Sequence, residues 1–377
     1  MILYISNATS YLIYDELFAS GKIAPSYQMQ KFNHNLIVGL SGKDRVTALS
    51  ALPYLNVKAE RIDRTIDNVR YIGIKNSTGH MHKPMNLIRL FREGSRIIRR
   101  EKPLCIICDA IAMSPCLISL ALGKVFGIPV VGIITDLPNI LNASDDPSEG
   151  TGMMRKFDAY VLLTQQMNAV VNPKGKPYII MEGLCASHLP PVCDEKKKKT
   201  LIYSGSLWKE AAGIEYLVEG FIQAALPGYE LQLYGVGELV PWLEDMGKKH
   251  SNVKYMGCVS NAEIVKLQTE ASLLVNPRPT DKEFCKYSFP SKTIEYMASG
   301  TPVLMTRLPG VPEEYFEYVY TIEEENAAGV QAVLEEIFRR SEQERRSFGL
   351  RAREFVAVSK SCEMQTGRIF DFVSQGL

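Results

Sequence analysis

Lys292 and Glu295 lie three residues apart, and Glu295 and Ser299 four apart, so on a helix all of them share one face. A cation, a carboxylate and a hydroxyl beside a helix N-terminus suit a ligand that is both phosphorylated and rich in hydroxyls. The same Lys–Glu spacing also serves as a solvated helix face, where such a pair adds only about 0.2–0.5 kcal/mol. Spacing alone leaves both uses open. The elements that must position these residues can be read on either side. An apolar run, Leu273 to Val275, breaks at Asn276-Pro277-Arg278 into a polar loop. A helix opens at Pro290 and stops before Gly300, and a second apolar run, Pro302 to Met305, follows at once. Proline in the first turn and glycine past the last are ordinary helix punctuation. The stretch is a strand–loop–helix–strand unit. In a parallel sheet its crossover is right-handed, and its loop lies at the edge where open α/β sheets bind ligands.

Glu295-Tyr-Met-Ala-Ser-Gly-Thr-Pro-Val303 resembles the second half of the donor-binding signature of GT-B glycosyltransferases, most of all glycosyltransferase family 4. In that signature two glutamates separated by seven residues precede a small-residue helix end and Gly-x-Pro-Val. Here the first glutamate is replaced by Tyr287, and Ser288-Phe289-Pro290-Ser291-Lys292 keeps a sharply turning loop with proline in place of the usual glycine. Three further strand ends fit the same family: Tyr203-Ser204-Gly205-Ser206, Tyr234-Gly235-Val236-Gly237, and Tyr255-Met256-Gly257-Cys258-Val259. Each glycine is a common turn solution by itself. Their order along the chain, ending in the Glu295 helix, carries the resemblance.

The resemblance implies two Rossmann-like doubly wound α/β domains facing a cleft, and a nucleotide-sugar donor, UDP- or GDP-linked, with no cofactor. It implies that Gly205, Ser206, Gly235, Cys258, Val259, Tyr287, Ser288, Ser291 and Glu295 surround the donor, Glu295 accepting the ribose hydroxyls. Glycine at 205 would let backbone N–H groups approach the diphosphate. The family's two diphosphate-binding cations are missing, Ser206 and Ala212 standing near their positions. Arg278, Lys286 and Lys292 are the available replacements, with Lys209 a fourth. Arg278 and Lys292 are expected to meet the charge that grows on the leaving diphosphate. On the acceptor side Asp136 ends Ile133-Ile134-Thr135-Asp136, where it could orient or deprotonate a hydroxyl or simply cap a turn.

The rest of the chain agrees with two domains. Its 377 residues exceed one usual domain, and 46% hydrophobic with 23% charged residues is enough for two cores. A net charge of +1 argues against a protein coated for nucleic acid. Eight scattered cysteines do not form a disulfide framework, and Cys105-Ile-Ile-Cys108 reads as strand interior rather than a metal or redox motif. With five scattered histidines no metal site is expected. No segment is apolar for the roughly 20 residues of a membrane span, and the first residues read as a strand, so a cytoplasmic protein is expected.

Strands are predicted at Ile2–Ser6, Asn35–Leu40, Arg70–Ile74, Leu104–Asp109, Val130–Thr135, Tyr160–Thr164 and Tyr178–Glu182, with helices at Asn86–Arg100 and Pro115–Phe126. The loop Gly21–Ser26 reads as an acceptor-side loop or a plain connection. Asp194-Glu195 followed by four lysines reads as a solvated linker. The expected division is 1–193 for an acceptor-side domain, 194–200 for the linker and 201–355 for a donor domain. A last helix, 356–377, is expected to return to the first domain, by analogy with GT-B enzymes. Asp145-Asp146 has no matching context for a metal-binding acidic pair.

The function expected is transfer of a sugar to a glycan or lipid-linked acceptor, with retention, in surface or extracellular polysaccharide synthesis. The alternatives are a nucleotide-sugar epimerase of the same fold and a non-catalytic homologue that binds a partner or glycan. Arg89, Arg92, Arg96, Arg99 and Arg100, with Leu90, Phe91, Ile97 and Ile98 between them, form a basic amphipathic stretch. It could rest on an anionic membrane surface or pack as an ordinary helix.

Overall fold

The computed structural model describes residues 1–24, 27–138, 146–186, 189–192, 197–209 and 213–375. It divides into two compact units, Met1–Leu184 with Cys362–Leu377, and Cys185–Ser361.

The first unit is built on eight strands: β1 (Ile2–Ser6), β2 (Val46–Ser50), β3 (Ile62–Ile66), β4 (Val69–Gly73), β5 (Cys105–Asp109), β6 (Val130–Ile134), β7 (Ala159–Leu162) and β8 (Tyr178–Ile180). Their order is β3-β4-β2-β1-β5-β6-β7-β8. All neighbouring pairs are parallel except β3 with β4. The central strands β1, β2, β5 and β6 are buried throughout, as strands covered on both faces must be. β3 is different. Its middle residues Asp63, Arg64 and Thr65 are exposed, and charge on an edge strand discourages pairing with another chain.

One expectation fails here. Asn35–Leu40 is not a strand but part of the helix Tyr27–Ser41. Leu36, Ile37 and Leu40 are all fully buried, and their spacing is that of one helix face rather than of a strand. The strand that pairs with β1 is instead β2, which carries Thr47 and Ser50 among its apolar residues. The Gly21–Ser26 loop follows a helix, Tyr11–Ala19, whose N-cap Ser10 accepts from Ile13 N at 3.3 Å; residues 25 and 26 lie outside the described ones. Cys105 and Cys108 are both buried within β5, and burial pushes the Cys105 thiol up to about 12. The helix Cys362–Gln375 packs on Tyr27–Ser41, with Cys362 Sγ donating to Asn35 O at 3.1 Å.

The second unit has six parallel strands: β9 (Thr200–Ser204), β10 (Glu230–Tyr234), β11 (Val253–Gly257), β12 (Leu273–Asn276), β13 (Val303–Thr306) and β14 (Tyr320–Ile322). They run in the order β11-β10-β9-β12-β13-β14. Order reverses beside β9, so β9 and β12 flank the switch point at which open α/β sheets bind ligands. The helix Ser291–Ala298 joins β12 to β13. Of the lysine run, Lys196 lies outside the described residues, and Lys197 is not solvated. It is buried, and its amine donates to Thr301 Oγ1 at 3.0 Å and to Thr269 O. Lys198 pairs with Glu270 at 2.6 Å.

Candidate functional site

The carboxyl edge of the second sheet is made by strand ends that lean on one another. Gly205 N donates to Tyr234 O at 2.8 Å, and Gly235 N to Gly257 O at 2.9 Å. A Cβ on Gly235 would stand 1.7 Å from the carbonyl oxygen of Gly205, so the loops after β9 and β10 approach too closely for a side chain. At Gly205 the neighbour is an amine. A Cβ there would stand 1.5 Å from Lys292 Nζ. The missing side chain therefore makes room for Lys292, where the resemblance implied room for a bare backbone approach to a diphosphate.

Lys292 Nζ also lies 5.3 Å from the centre of the Tyr203 ring, whose hydroxyl donates to Ser206 O at 2.6 Å. Among the described residues Lys292 forms no ion pair. Burial drives its pKa from the ordinary lysine value down to about 8; Glu295 opposes the shift and Arg278 adds to it. Glu295 turns elsewhere, its Oε1 accepting from Gln268 Nε2 at 2.9 Å. The two residues that spacing allowed as a solvated pair are thus half-buried and held apart by different partners. Tyr296 fixes the helix to the strand: its buried hydroxyl accepts from Ser204 N at 2.9 Å and lies 3.0 Å from Ser204 Oγ. Burial pushes that phenol up to about 12.

Arg278, just past β12, donates to Ser288 Oγ at 3.3 Å and lies over the Phe284 ring at 4.7 Å. It is close enough to depress both the Lys292 ammonium and the Tyr203 phenol. Two cations that repel one another across a half-buried surface form a place where a polyanion is welcome.

Residues 198–339 match the profile of the family described as glycosyl transferases group 1. The match lies within the second unit, so that unit is similar to group 1 glycosyl transferases over this stretch. Both units together have the GT-B fold. Sucrose-phosphate synthase from Thermosynechococcus elongatus is similar at a TM-score of 0.67 and 15% identity, over 99% of this chain and 98% of that one. HepE of Anabaena, solved with UDP and glucose, is similar at 0.64 and 12% identity, over 99% of each chain. The lipopolysaccharide outer core galactosyltransferase WaaB is similar at 0.62 and 13% identity, over 100% of this chain and 99% of that one. No curated protein sequence matches the chain.

The other expected residues separate into groups. Tyr287, in place of the first glutamate of the signature, is buried, and its hydroxyl donates to Glu283 Oε1 at 3.3 Å. Ser291 is exposed at the start of its helix, and Ser206 is exposed beside Gly205. Cys258 is exposed and Val259 half-buried just beyond the end of β11. Lys286 is exposed and pairs with Glu283 at 2.7 Å, and exposed Lys209 pairs with Glu215 at 3.7 Å, so neither is kept free for a ligand. Ala212 and Asp145 lie outside the described residues. Asp136 belongs to the first unit, half-buried just past β6. Among the described residues no cluster of His, Cys, Asp and Glu could hold a metal ion.

Sequence reading missed Tyr203, Ser204, Gln268 and Tyr296 as parts of this site. Tyr203 and Ser204 were read only as strand end, and Gln268 sits on the helix Asn261–Glu270 with no spacing that ties it to Glu295.

Proposed function

We propose that the chain transfers a sugar from a nucleoside diphosphate donor to a hydroxyl of a glycan or lipid-linked acceptor, with retention at the anomeric carbon, in the assembly of surface or extracellular polysaccharide. The observation that carries this reading is the Lys292 amine, packed on Gly205, largely desolvated and in no ion pair among the described residues. An ammonium so placed gains when a diphosphate arrives, and gains more as that diphosphate leaves with greater charge. The acceptor oxygen bonds to the anomeric carbon on the face from which the diphosphate departs. The bond between that carbon and the diphosphate oxygen breaks as the new one forms, and the departing phosphate oxygen takes the acceptor proton. Lys292 and Arg278 meet the charge, Glu295 holds the ribose, and no enzyme nucleophile is required, which fits Tyr287 in place of a glutamate. Asp136 is assigned to orient the acceptor hydroxyl. UDP is the first nucleotide to test, because the similar HepE structure holds it.

A lipid-linked acceptor is supported by the helix His82–Glu101. Met81, Met85 and Ile88 are exposed, and Arg92, Arg96 and Arg99 continue the same face along the helix. That pattern fits work at the inner face of a membrane. No helix among the described residues is long and apolar enough to cross one.

Calorimetry with UDP and GDP, followed by turnover of their sugars, tests the reading. Binding with transfer is expected. Binding without turnover would identify a non-catalytic homologue, and conversion of the donor sugar alone would identify an epimerase. Vesicles containing anionic lipid should bind the chain, less well at higher salt and after replacing Arg92, Arg96 and Arg99 by Gln.

A further inference from the structure

Gln268 is fully buried near the end of its helix, and its amide reaches two residues at the carboxyl edge of the sheet. Nε2 stands 2.9 Å from Glu295 Oε1 and 3.4 Å from Ser204 Oγ. A carboxylate only accepts, so the nitrogen must face Glu295, and that choice fixes the amide's orientation. Its oxygen then has nothing to bond: Gln268 Oε1 is buried and without a hydrogen-bond partner among the described residues. A buried carbonyl oxygen left unpaired destabilises a fold. An apolar side chain at this position would remove that penalty, so packing alone does not account for a glutamine. Among the described residues no other side chain donates to the Glu295 carboxylate.

We propose that Gln268 is a positioning residue for ribose recognition: it holds Glu295 Oε1 so that the remaining acceptor sites of the carboxylate face the two ribose hydroxyls. The inference rests on the reading of Glu295 given above. A carboxylate offers about four lone-pair directions. Occupying one of them from behind removes freedom about the terminal side-chain bond and leaves the rest aimed at the ligand. Without Gln268 the carboxylate keeps its charge but not its direction, so affinity for the diphosphate survives while selectivity for the ribose does not.

The experiment compares each nucleoside diphosphate with its 2′-deoxy counterpart, using UDP and GDP, by calorimetry on the full chain. Wild type is expected to prefer the ribonucleotide about tenfold or more, the worth of a hydrogen bond to a charged acceptor. Gln268→Met, which keeps length and apolar volume, should reduce that preference to about threefold or less. Affinity for the deoxynucleotide and the melting temperature should not fall. Gln268→Asn keeps a buried amide but is one methylene too short to reach Glu295, and it should lose the preference as well. Both dissociation constants come from one preparation, so their ratio is not moved by a fraction of unfolded protein. Absence of any preference in wild type would sink the assignment of Glu295 itself. A preference lost in Glu295→Gln but kept in Gln268→Met and Gln268→Asn would leave Glu295 in place and overturn the role of Gln268.

Discussion

The carboxyl edges of the two sheets hold buried polar groups of different kinds, neutral or linked to a carboxylate in the first unit and cationic in the second. In the first unit Tyr4 Oη donates to Asn33 Oδ1 at 2.7 Å, Asn33 Nδ2 donates to Asp109 Oδ2 at 2.9 Å, and Ile111 N donates to Asp109 Oδ1 at 3.2 Å. Beside them Thr9 N donates to Gln30 Oε1 at 3.1 Å, and Gln30 Nε2 donates to Thr9 O at 2.6 Å. Donor meets acceptor at each of these steps. In the second unit, among the described residues, Lys292 has an aromatic face and a glycine but no ion pair, and Gln268 keeps an oxygen with no partner. A satisfied network specifies a structure, whereas charge held apart from its complement is set for something that arrives later. Both edges are assembled from short polar loops after apolar strands. The first edge is not fully satisfied either, since Asn7 Oδ1 and Ser50 Oγ are buried without a hydrogen-bond partner among the described residues; what differs is that the second edge also holds a half-buried cation.

The largest test of that contrast is Lys292→Ala. If the amine meets charge on the leaving diphosphate, kcat should fall about 10²–10³-fold, the range seen when one oxyanion donor is removed, with a smaller loss of nucleotide affinity. Its folded pKa of about 8 lies below the ordinary lysine value of 10.5, so below pH 8 the charged amine opposes folding, and the penalty is relieved as pH rises toward 10.5. The variant should therefore melt no lower than wild type near neutral pH. In wild type, nucleotide affinity should decline above about pH 8, and that decline should be absent in Lys292→Arg. A variant that melts lower and turns over normally would place the lysine among structural residues.

Next in size is Glu295→Gln, which keeps one acceptor oxygen and removes the charge. Hydrogen bonds to charged partners are worth about 1.5–3 kcal/mol. Calorimetry should show nucleotide affinity falling roughly ten- to a hundredfold, with little change in unliganded melting temperature. The mirror experiment in the first unit is Asn33→Leu. It leaves Tyr4 Oη and Asp109 Oδ2 buried with their link removed, a loss of about 1–3 kcal/mol per unsatisfied group. Denaturant unfolding should report that loss while nucleotide affinity in the second unit stays the same. An affinity change as large as the stability change would show that the contrast between the edges is false.

The smallest effect expected is that of Asp109→Asn. Burial raises the Asp109 carboxyl above its ordinary 3.8, against the hydrogen bonds from Ile111 and Asn33. Its contribution is therefore fully present below pH 3.8 and lost as pH rises through the raised value. Melting curves from pH 3.8 upward should decline less in the variant than in wild type. Equal slopes would mean that the carboxyl is not held neutral by burial.

The fold was legible wherever apolar runs end in glycine or a polar turn. β1 at Ile2–Ser6 has the boundaries that its sequence suggests, and β5 at Cys105–Asp109 ends where expected. Legibility failed at β2, where Thr47 and Ser50 interrupt the apolar pattern, although both are buried in the sheet. It failed again in the helix Tyr27–Ser41, where Leu36, Ile37, Val38 and Leu40 imitate a buried strand because periodicity cannot separate short apolar runs. The candidate site was legible only along the helix that carries it. Lys292 and Glu295 could be placed on one face from spacing. Their separation by Tyr203, Gly205 and Gln268 depends on residues distant in the chain, brought near by the order of β9 and β12. Lys197 shows the same limit, since its burial is set by Thr269 and Thr301 rather than by the lysines around it.

Cys258 lies just beyond the end of β11, and it is exposed, whereas Cys105, Cys108, Cys116, Cys185, Cys285 and Cys362 are buried. An alkylating reagent therefore meets one ready thiol among the described cysteines, and meets it at the sheet edge that carries Gly235. The chain has, in effect, its own attachment point for a fluorophore next to the proposed donor. The same accessibility opens this edge to a diffusing oxidant, as exposure does for Met81 and Met113 in the first unit.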